Sequence, residues 1–334
     1  MIGILFTGGT IAMRKDPATG AAVPALSAAE ILAEVPDLAS VAPVETEDFS
    51  RLPGPHVTPE HMWRLAKRAA AWLERSDIDG LAITHGTDTI EETAYLLDLV
   101  LTTAKPVVLV GAMRTVSDAS WDGPANLMDA VRVAASPEAR GRGVLIVMNE
   151  QILPARDARK IHTEAPTSFA APEFGPIGIV DTGIVVFRRT SLSRPSWRDA
   201  AAEPGLRVRQ IDPRVALLQV YTGMEDGLLT YLLSQGARGV AISAYGRGNV
   251  PPAIVGAIER AVAKGAIVTI SSRAVAGRVR PRYGYDGGGL QLLRAGAILA
   301  GDLPASKARL LVMVALGCAQ DAAAARELVI AATQ

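Results

Sequence analysis

Two short polar stretches carry the reactive side chains that stand directly after apolar runs. Thr7-Gly8-Gly9-Thr10 closes the run Ile2–Thr7, and His85-Gly86-Thr87-Asp88-Thr89 follows Leu81–Thr84. A threonine hydroxyl is inert near neutral pH until a neighbouring base takes its proton, after which it can attack a carbonyl. Adjacent glycines let backbone amides approach a ligand closely, and Thr10 presents a hydroxyl beside them. A bare Gly-Gly pair is also an ordinary way to leave a strand, so the pair alone decides nothing. In the second stretch Thr89, with Glu92 three residues on, fits a capping box. Ile90, Ala94, Leu97 and Leu101 fit the buried face of the helix that follows. His85, Thr87 and Asp88 are left without a structural purpose. Asp88 stands just before a helix N-terminus, where the dipole and free N–H groups favour a carboxylate, and it suits a substrate ammonium. On residue type alone Thr87 is open between nucleophile and cap. A desolvated lysine is the remaining candidate base, because burial lowers an amine's proton affinity; composition does not say which lysine.

Other chemistries lack their residues. The chain has no G-x-G-x-x-G or P-loop, so a nucleotide site is not supported, and it has neither a G-x-S-x-G elbow nor H-E-x-x-H. His56, His61, His85 and His162 show no ligand spacing, and Cys318 is the single cysteine. No intrachain disulfide and no cysteine-based metal cage is therefore expected. Lys plus Arg and Asp plus Glu number 34 each, which leaves no basic excess for nucleic acid or an anionic membrane. The cluster Arg273, Arg278, Arg280 and Arg282 reads as a solvated or interface loop. The opening MIGILFTGGT reads as a first strand, not a signal peptide. No window is apolar for long enough to span a bilayer. A cytoplasmic protein is expected.

Elements must bring the two stretches together. Continuous apolar runs recur at Ile2–Thr7, Leu81–Thr84, Val107–Val110, Val144–Met148, Ile184–Phe187, Val215–Val220, Val240–Ser243 and Ile267–Ser271. Each fits a strand buried on both faces of a parallel sheet. Helical patterns at Leu26–Glu34, Pro59–Arg75, Ile90–Thr102, Ala125–Ala135, Leu228–Gln235 and Ala253–Lys264 lie between them, with two more helices from about Ser306. The alternation predicts an α/β protein: a larger N-terminal doubly wound domain with a mainly parallel sheet, over residues 1–187, and a smaller C-terminal α/β domain over 213–334. Residues 188–212, polar and proline-containing, read as the linker. In such sheets ligands bind at the carboxyl ends of strands where the strand order reverses. Thr7–Thr10, His85–Thr89, Gly111–Arg114 and Asn149-Glu150 all occupy such ends.

At these residues the chain resembles the bacterial-type L-asparaginase family. TGGTIA (Thr7–Ala12) and THGTDTIEETA (Thr84–Ala94) are similar to its two signature motifs. VGAMR (Val110–Arg114), DGPANL (Asp122–Leu127), VMNEQI with ARDARK (Val147–Lys160), GRGN (Gly246–Asn249) and SSR (Ser271–Arg273) follow in family order. The resemblance spans nearly the whole chain. It implies hydrolysis of the side-chain amide of L-asparagine to L-aspartate and ammonia, with no cofactor or metal and with minor activity on L-glutamine. Thr10 matches the primary nucleophile. Thr87, Asp88 and Lys160 match the second catalytic group, in which threonine and lysine activate water or relay protons and aspartate also holds the α-ammonium. Ala112 matches a backbone contact to the amide, and Asn249 an asparagine lent by a neighbouring subunit. A homo-oligomer is implied, a tetramer built as a dimer of dimers with sites at the intimate interface.

The chain departs from the family in three places. Met13–Ser27 has no tyrosine in the lid segment, where Ala21 to Val23 stand instead. Gly54 and Pro55 occupy the positions of the Ser-Gln pair that meets the substrate carboxylate, so the Gly54 backbone or the His56 side chain is the substitute. The acid donated across the interface has no clear counterpart beyond Asp286. Substrate affinity and glutamine tolerance are thereby left open, while the reaction class is not. The rival from another class is a silent amino-acid-binding or sensor protein on the same fold. The presence of Thr10, Thr87, Asp88 and Lys160 argues against it. A subunit acting on larger amides would need an extra partner-binding domain, and a self-processing threonine hydrolase a threonine at a new N-terminus.

Overall fold

Ile2–Gly8 is buried along its whole length, as a strand must be when it is covered on both faces and paired on both edges. This is β1. The computed structural model describes residues 1–190, Asp199 and 202–333. The chain divides into two compact units, Met1–Ser193 with Pro204–Leu206, and Arg194–Glu203 with Arg207–Gln334.

The first unit continues with a small antiparallel hairpin, β2 (Met13–Lys15) and β3 (Ala22–Pro24), then α1 (Ala28–Ala33), α2 (Leu38–Val41), β4 (Val44–Leu52) and α3 (Pro59–Glu74). Next come β5 (Gly80–Thr84), α4 (Ile90–Val100), β6 (Val107–Val110), α5 (Gly123–Ala135) and β7 (Val144–Met148). β8 (Gln151–Pro154), the short pair β9 (Arg159–Lys160) and β10 (Phe169–Ala170), β11 (Gly178–Asp181) and β12 (Ile184–Phe187) complete it. The main sheet has the order β12-β11-β8-β7-β6-β5-β1-β4. From β4 to β7 all neighbours are parallel, and β8, β11 and β12 add antiparallel pairs. Helices cover both faces. Gly3 has no room for a side chain because Trp72 of α3 presses on it, whereas Gly80 is pressed by the Ala134 carbonyl of α5. Ile2, Ile4 and Phe6, of opposite parity to Gly3, share a core with α5 residues Leu127, Ala130 and Ala134. The first five strands thus run β4-β1-β5-β6-β7, so the chain turns back once beside β1 and thereafter steps outward from β5. Their junction is the switch point where such sheets hold ligands.

The second unit is a four-stranded parallel sheet, β13 (Val215–Gln219), β14 (Gly239–Ala244), β15 (Ile267–Ser272) and β16 (Ile298–Leu299), in sequential order. α6 (Gly227–Ser234), α7 (Val255–Ala263), α8 (Gly289–Arg294), α9 (Ala305–Cys318) and α10 (Ala322–Thr333) accompany it. Val240, Ile242, Val268 and Ile270 pack with Ile258 of α7, and Gly239, of the other parity, meets Val312 of α9.

Several expectations change. Ile184–Phe187 is a strand, but an antiparallel edge with Ile184 65% exposed, not a strand covered on both faces. Val215–Gln219 is also an edge, with Leu217 and Gln219 exposed. Asn149 and Glu150, both at positive φ, form the tight turn between β7 and β8 and so reverse the chain, where a crevice wall was expected. The capping box expected at Thr89 and Glu92 forms instead at Ser27 and Glu30 of α1. α4 is covered all round, with Thr93 through Val100 buried. The stretch read as a linker is partly packed: Leu206 bridges to Leu101, and Leu206 and Val208 are buried. Residues 191–198, 200 and 201 of that stretch lie outside the described residues.

Candidate active site

Glycines decide how closely the loops at the switch point can approach. Gly9 has φ 85°, and a Cβ on it would lie 2.4 Å from the Gly86 nitrogen. A Cβ on Gly86 would lie 2.7 Å from the nitrogen and Cα of Gly54. The loops after β1, β4 and β5 therefore meet backbone to backbone, and no larger residue fits at either position. The loop after β6 joins them, since a Cβ on Gly111 would come within 2.8 Å of the His85 carbonyl and 3.0 Å of Thr87 Cγ2. Below the junction the Thr7 hydroxyl donates to the Thr84 carbonyl at 2.6 Å, tying β1 to β5 at their ends.

The junction presents hydroxyls, an amine and a carboxylate. Thr87 is buried, and Lys160 Nζ donates to its Oγ1 at 3.0 Å and to Asp88 Oδ1 at 2.7 Å. The Lys160 side chain is 18% exposed and that of Asp88 56%, so the carboxylate still faces solvent from which a ligand can arrive. Lys160 is set by its own backbone, which pairs with Phe169 and donates to Glu91 Oε2 at 2.6 Å. Because Lys160 donates to Thr87, the hydrogen of Thr87 is free to point at a water or a substrate. Thr10 opens the 3₁₀ turn Thr10–Ala12 next to Gly9 and is half-buried. Its hydroxyl shows no side-chain hydrogen bond to another described residue. Behind the junction His85 is fully buried. Its Nδ1 faces the Gly86 carbonyl at 2.9 Å and its Nε2 the Thr93 hydroxyl at 2.9 Å. The carbonyl can only accept, so Nδ1 carries the hydrogen and Thr93 donates to Nε2. Burial pushes the imidazole down to about 4, and the ring is neutral in the folded protein. Hydroxyls with a lysine relay beside backbone N–H groups suit acyl transfer through an ester. Among the described residues no group of three or more His, Cys, Asp or Glu is placed to hold a metal.

Residues 1–193 match the family described as "Asparaginase, N-terminal", and residues 214–329 the one described as "Glutaminase/Asparaginase C-terminal domain". The chain belongs to the asparaginase family. A Deinococcus radiodurans protein named "Probable L-asparaginase" is 40% identical over 315 residues, covering 94% of this chain and 92% of its own. A Haemophilus influenzae protein named "Probable L-asparaginase periplasmic" is 36% identical over 324 residues, 96% of this chain and 89% of its own. The crystal structure of a probable cytoplasmic L-asparaginase from Campylobacter jejuni matches with a TM-score of 0.87 at 34% identity, covering 98% of both chains.

Within this asparaginase the remaining candidates are Gly54, Ala112, Pro55, His56 and Asn249. Gly54 is buried against Asp88, and its carbonyl accepts from the Thr89 hydroxyl at 2.9 Å, so Thr89 braces the site instead of capping α4 with its side chain. Ala112 is fully buried in the loop beside Thr87. Pro55 and His56 are exposed on the 3₁₀ turn Gly54–His56, whose first residue lies against Asp88. Asn249 belongs to the second unit. Its backbone pairs with Tyr245, and its Oδ1 is buried without a hydrogen-bond partner among the described residues. Two further contributors escaped the sequence reading. Glu91 orients Lys160; its only local mark is an acid in the first turn of α4. His85 was noticed but given no task, and it proves to be the buried prop under Gly86.

Proposed function

We propose that the protein hydrolyses the side-chain amide of L-asparagine to L-aspartate and ammonia by way of a threonyl ester. The observation that supports this best is the chain Asp88–Lys160–Thr87, hydrogen-bonded at 2.7 and 3.0 Å, beside the glycine junction that carries Thr10. Thr10 Oγ1 attacks the amide carbon and forms the C–O bond, its proton passing to the departing nitrogen. The C–N bond then breaks as the nitrogen takes up a proton and leaves as ammonia. Water, deprotonated through Thr87 and Lys160, attacks the ester carbon, the C–O bond to Thr10 breaks, and Thr10 regains its proton. The carboxylate of Asp88 receives the substrate's α-ammonium. The backbone of Gly54, with His56 at the rim, receives its carboxylate, and the Ala112 backbone touches the amide. Asn249 comes from a neighbouring subunit of a homo-oligomer, and the protein works in the cytoplasm, as the Campylobacter protein's name also says of that protein.

The test is ammonia release from L-asparagine and L-glutamine by the purified protein. Release from asparagine, with less from glutamine, is expected, and Thr10→Ala and Thr87→Val should each cost roughly 10²-fold or more in kcat. No release from either amide at millimolar substrate would sink the hydrolase reading.

A further inference from the structure

The loop Gly111–Arg114 offers substrate no polar side chain at Ala112, so whatever it does for the amide it does with its backbone. Its accuracy then depends on what holds that backbone, and two side chains at the start of α5 do so. Both carboxylate oxygens of Asp122 accept from Met113 N, at 3.1 and 3.0 Å, and Oδ1 also accepts from Arg114 N at 2.9 Å. Asn126, 3% exposed, commits every polar atom it has. Its Nδ2 donates to the Gly111 carbonyl at 3.1 Å and to Asp122 Oδ2 at 3.0 Å, and its Oδ1 accepts from Asn149 N at 3.0 Å. The Gly111 N–H itself meets only a soft acceptor, Met148 Sδ at 3.2 Å. Asp122 is the N-cap residue of α5 by position, yet its side chain makes no capping bond. Its carboxylate faces the loop beside Thr87 and the Asn126 side chain, not the first backbone N–H groups of the helix. Capping therefore does not explain it.

We propose that Asp122 and Asn126 are positioning residues for amide hydrolysis: they hold the backbone of Gly111–Arg114, and so Ala112, where it can engage the scissile amide. The inference rests on the reading of Ala112 as the backbone contact to that amide. Contacts that strengthen as charge develops on the amide act on kcat more than on KM, and loosening of about 1 Å is enough to be felt in rate.

The experiment compares Asn126→Ala, Asp122→Asn and, as a control on the same helix, Arg132→Ala, whose side chain pairs with Asp129 instead. Asp122→Asn keeps the shape but must turn an amide N–H₂ toward one of three converging donors, and it backs up Asn126→Ala should that variant fold poorly. For folded protein, both site variants should lower kcat for L-asparagine by roughly 10- to 100-fold with KM within about threefold of the parent. Hydrogen exchange at the Met113 and Arg114 amides should quicken. Arg132→Ala should lower the melting temperature without changing kcat or exchange in the loop. Faster exchange with unchanged kcat, or a raised KM with kcat intact, overturns the proposal. Full activity in Asp122→Asn while Thr10→Ala is inert overturns the positioning claim alone, whereas full activity in Thr10→Ala overturns the reading of the site beneath it.

Discussion

Lys160 shows what a residue's type and neighbours leave hidden. Flanked by Arg156, Asp157 and Arg159 it looks like one more solvated charge, and only the family motif singled it out. Its partners Thr87 and Asp88 lie 73 and 72 residues away in sequence, a separation that no local pattern encodes. Thr87 and Asp88 were legible as residues that capping does not explain, because their place after an apolar run was local information. His85 was legible only as unexplained. Its burial holds it neutral with a depressed affinity for protons, chiefly through desolvation and then against the opposing bond to the Gly86 carbonyl. The sign follows. From the ordinary 6.5 down to about 4 the unfolded chain takes up a proton that the folded one refuses. The stabilisation is full above pH 6.5 and is lost as pH falls toward 4, by roughly 3 kcal/mol if this group acts alone. His61, lowered by burial and then by Arg64, pushes in the same direction. Urea unfolding at pH 7, 5.5 and 4.5 should show this acid slope, and His85→Gln should flatten it. An unchanged slope would assign the acid loss to other groups.

Elements were easier to read than contacts, and the errors have a common cause. Runs covered on both faces, such as β1, β5, β6, β7, β14 and β15, announce themselves as unbroken apolar stretches. β4, VETEDFSRL, is a half-exposed edge whose acids hide the strand, and β8 (QILP) and β11 (GIVD) each carry only two branched apolar residues. Helix starts failed differently. Thr89 and Asp122 both stand at N-cap positions, yet each directs its side chain across the site, Thr89 to Gly54 and Asp122 to Met113 and Arg114. Thr58, at the start of α3, and Ser27 cap in the expected way, Thr58 only two residues past His56. Thr89 and Asp122 are thus taken up by the site, while Thr58 is not. Thr89→Val should therefore act on substrate handling, raising KM several-fold as the turn at Gly54 loosens, with a stability loss of about 1 kcal/mol. Steady-state kinetics beside thermal melting distinguish the two roles. A stability loss with unchanged KM would return Thr89 to the helix.

At the scale of the whole molecule, two sheets are assembled by the same rule, and the first has its switch point where Thr10 and Thr87 stand. Asn249 is in the second unit, with a buried side-chain oxygen that no group among the described residues satisfies. A buried acceptor left unpaired is costly, and such exceptions call for an explanation. The same unit exposes Leu217, Tyr221, Leu228 and Tyr231, and the first unit exposes Ile179 and Ile184 on its outer hairpin. Apolar side chains left in water on both units are what association with a second copy would cover. The proposed oligomer accounts for both features if Asn249 serves a neighbour's site. Light scattering after size exclusion should then give a multiple of the chain mass, and dilution that yields monomer should abolish asparagine hydrolysis. Tyr231→Asp, on the exposed face of α6, should weaken assembly and activity together. If a monomer, reached by either route, hydrolyses asparagine at the full rate, Asn249 has no catalytic task and the site is complete within one chain.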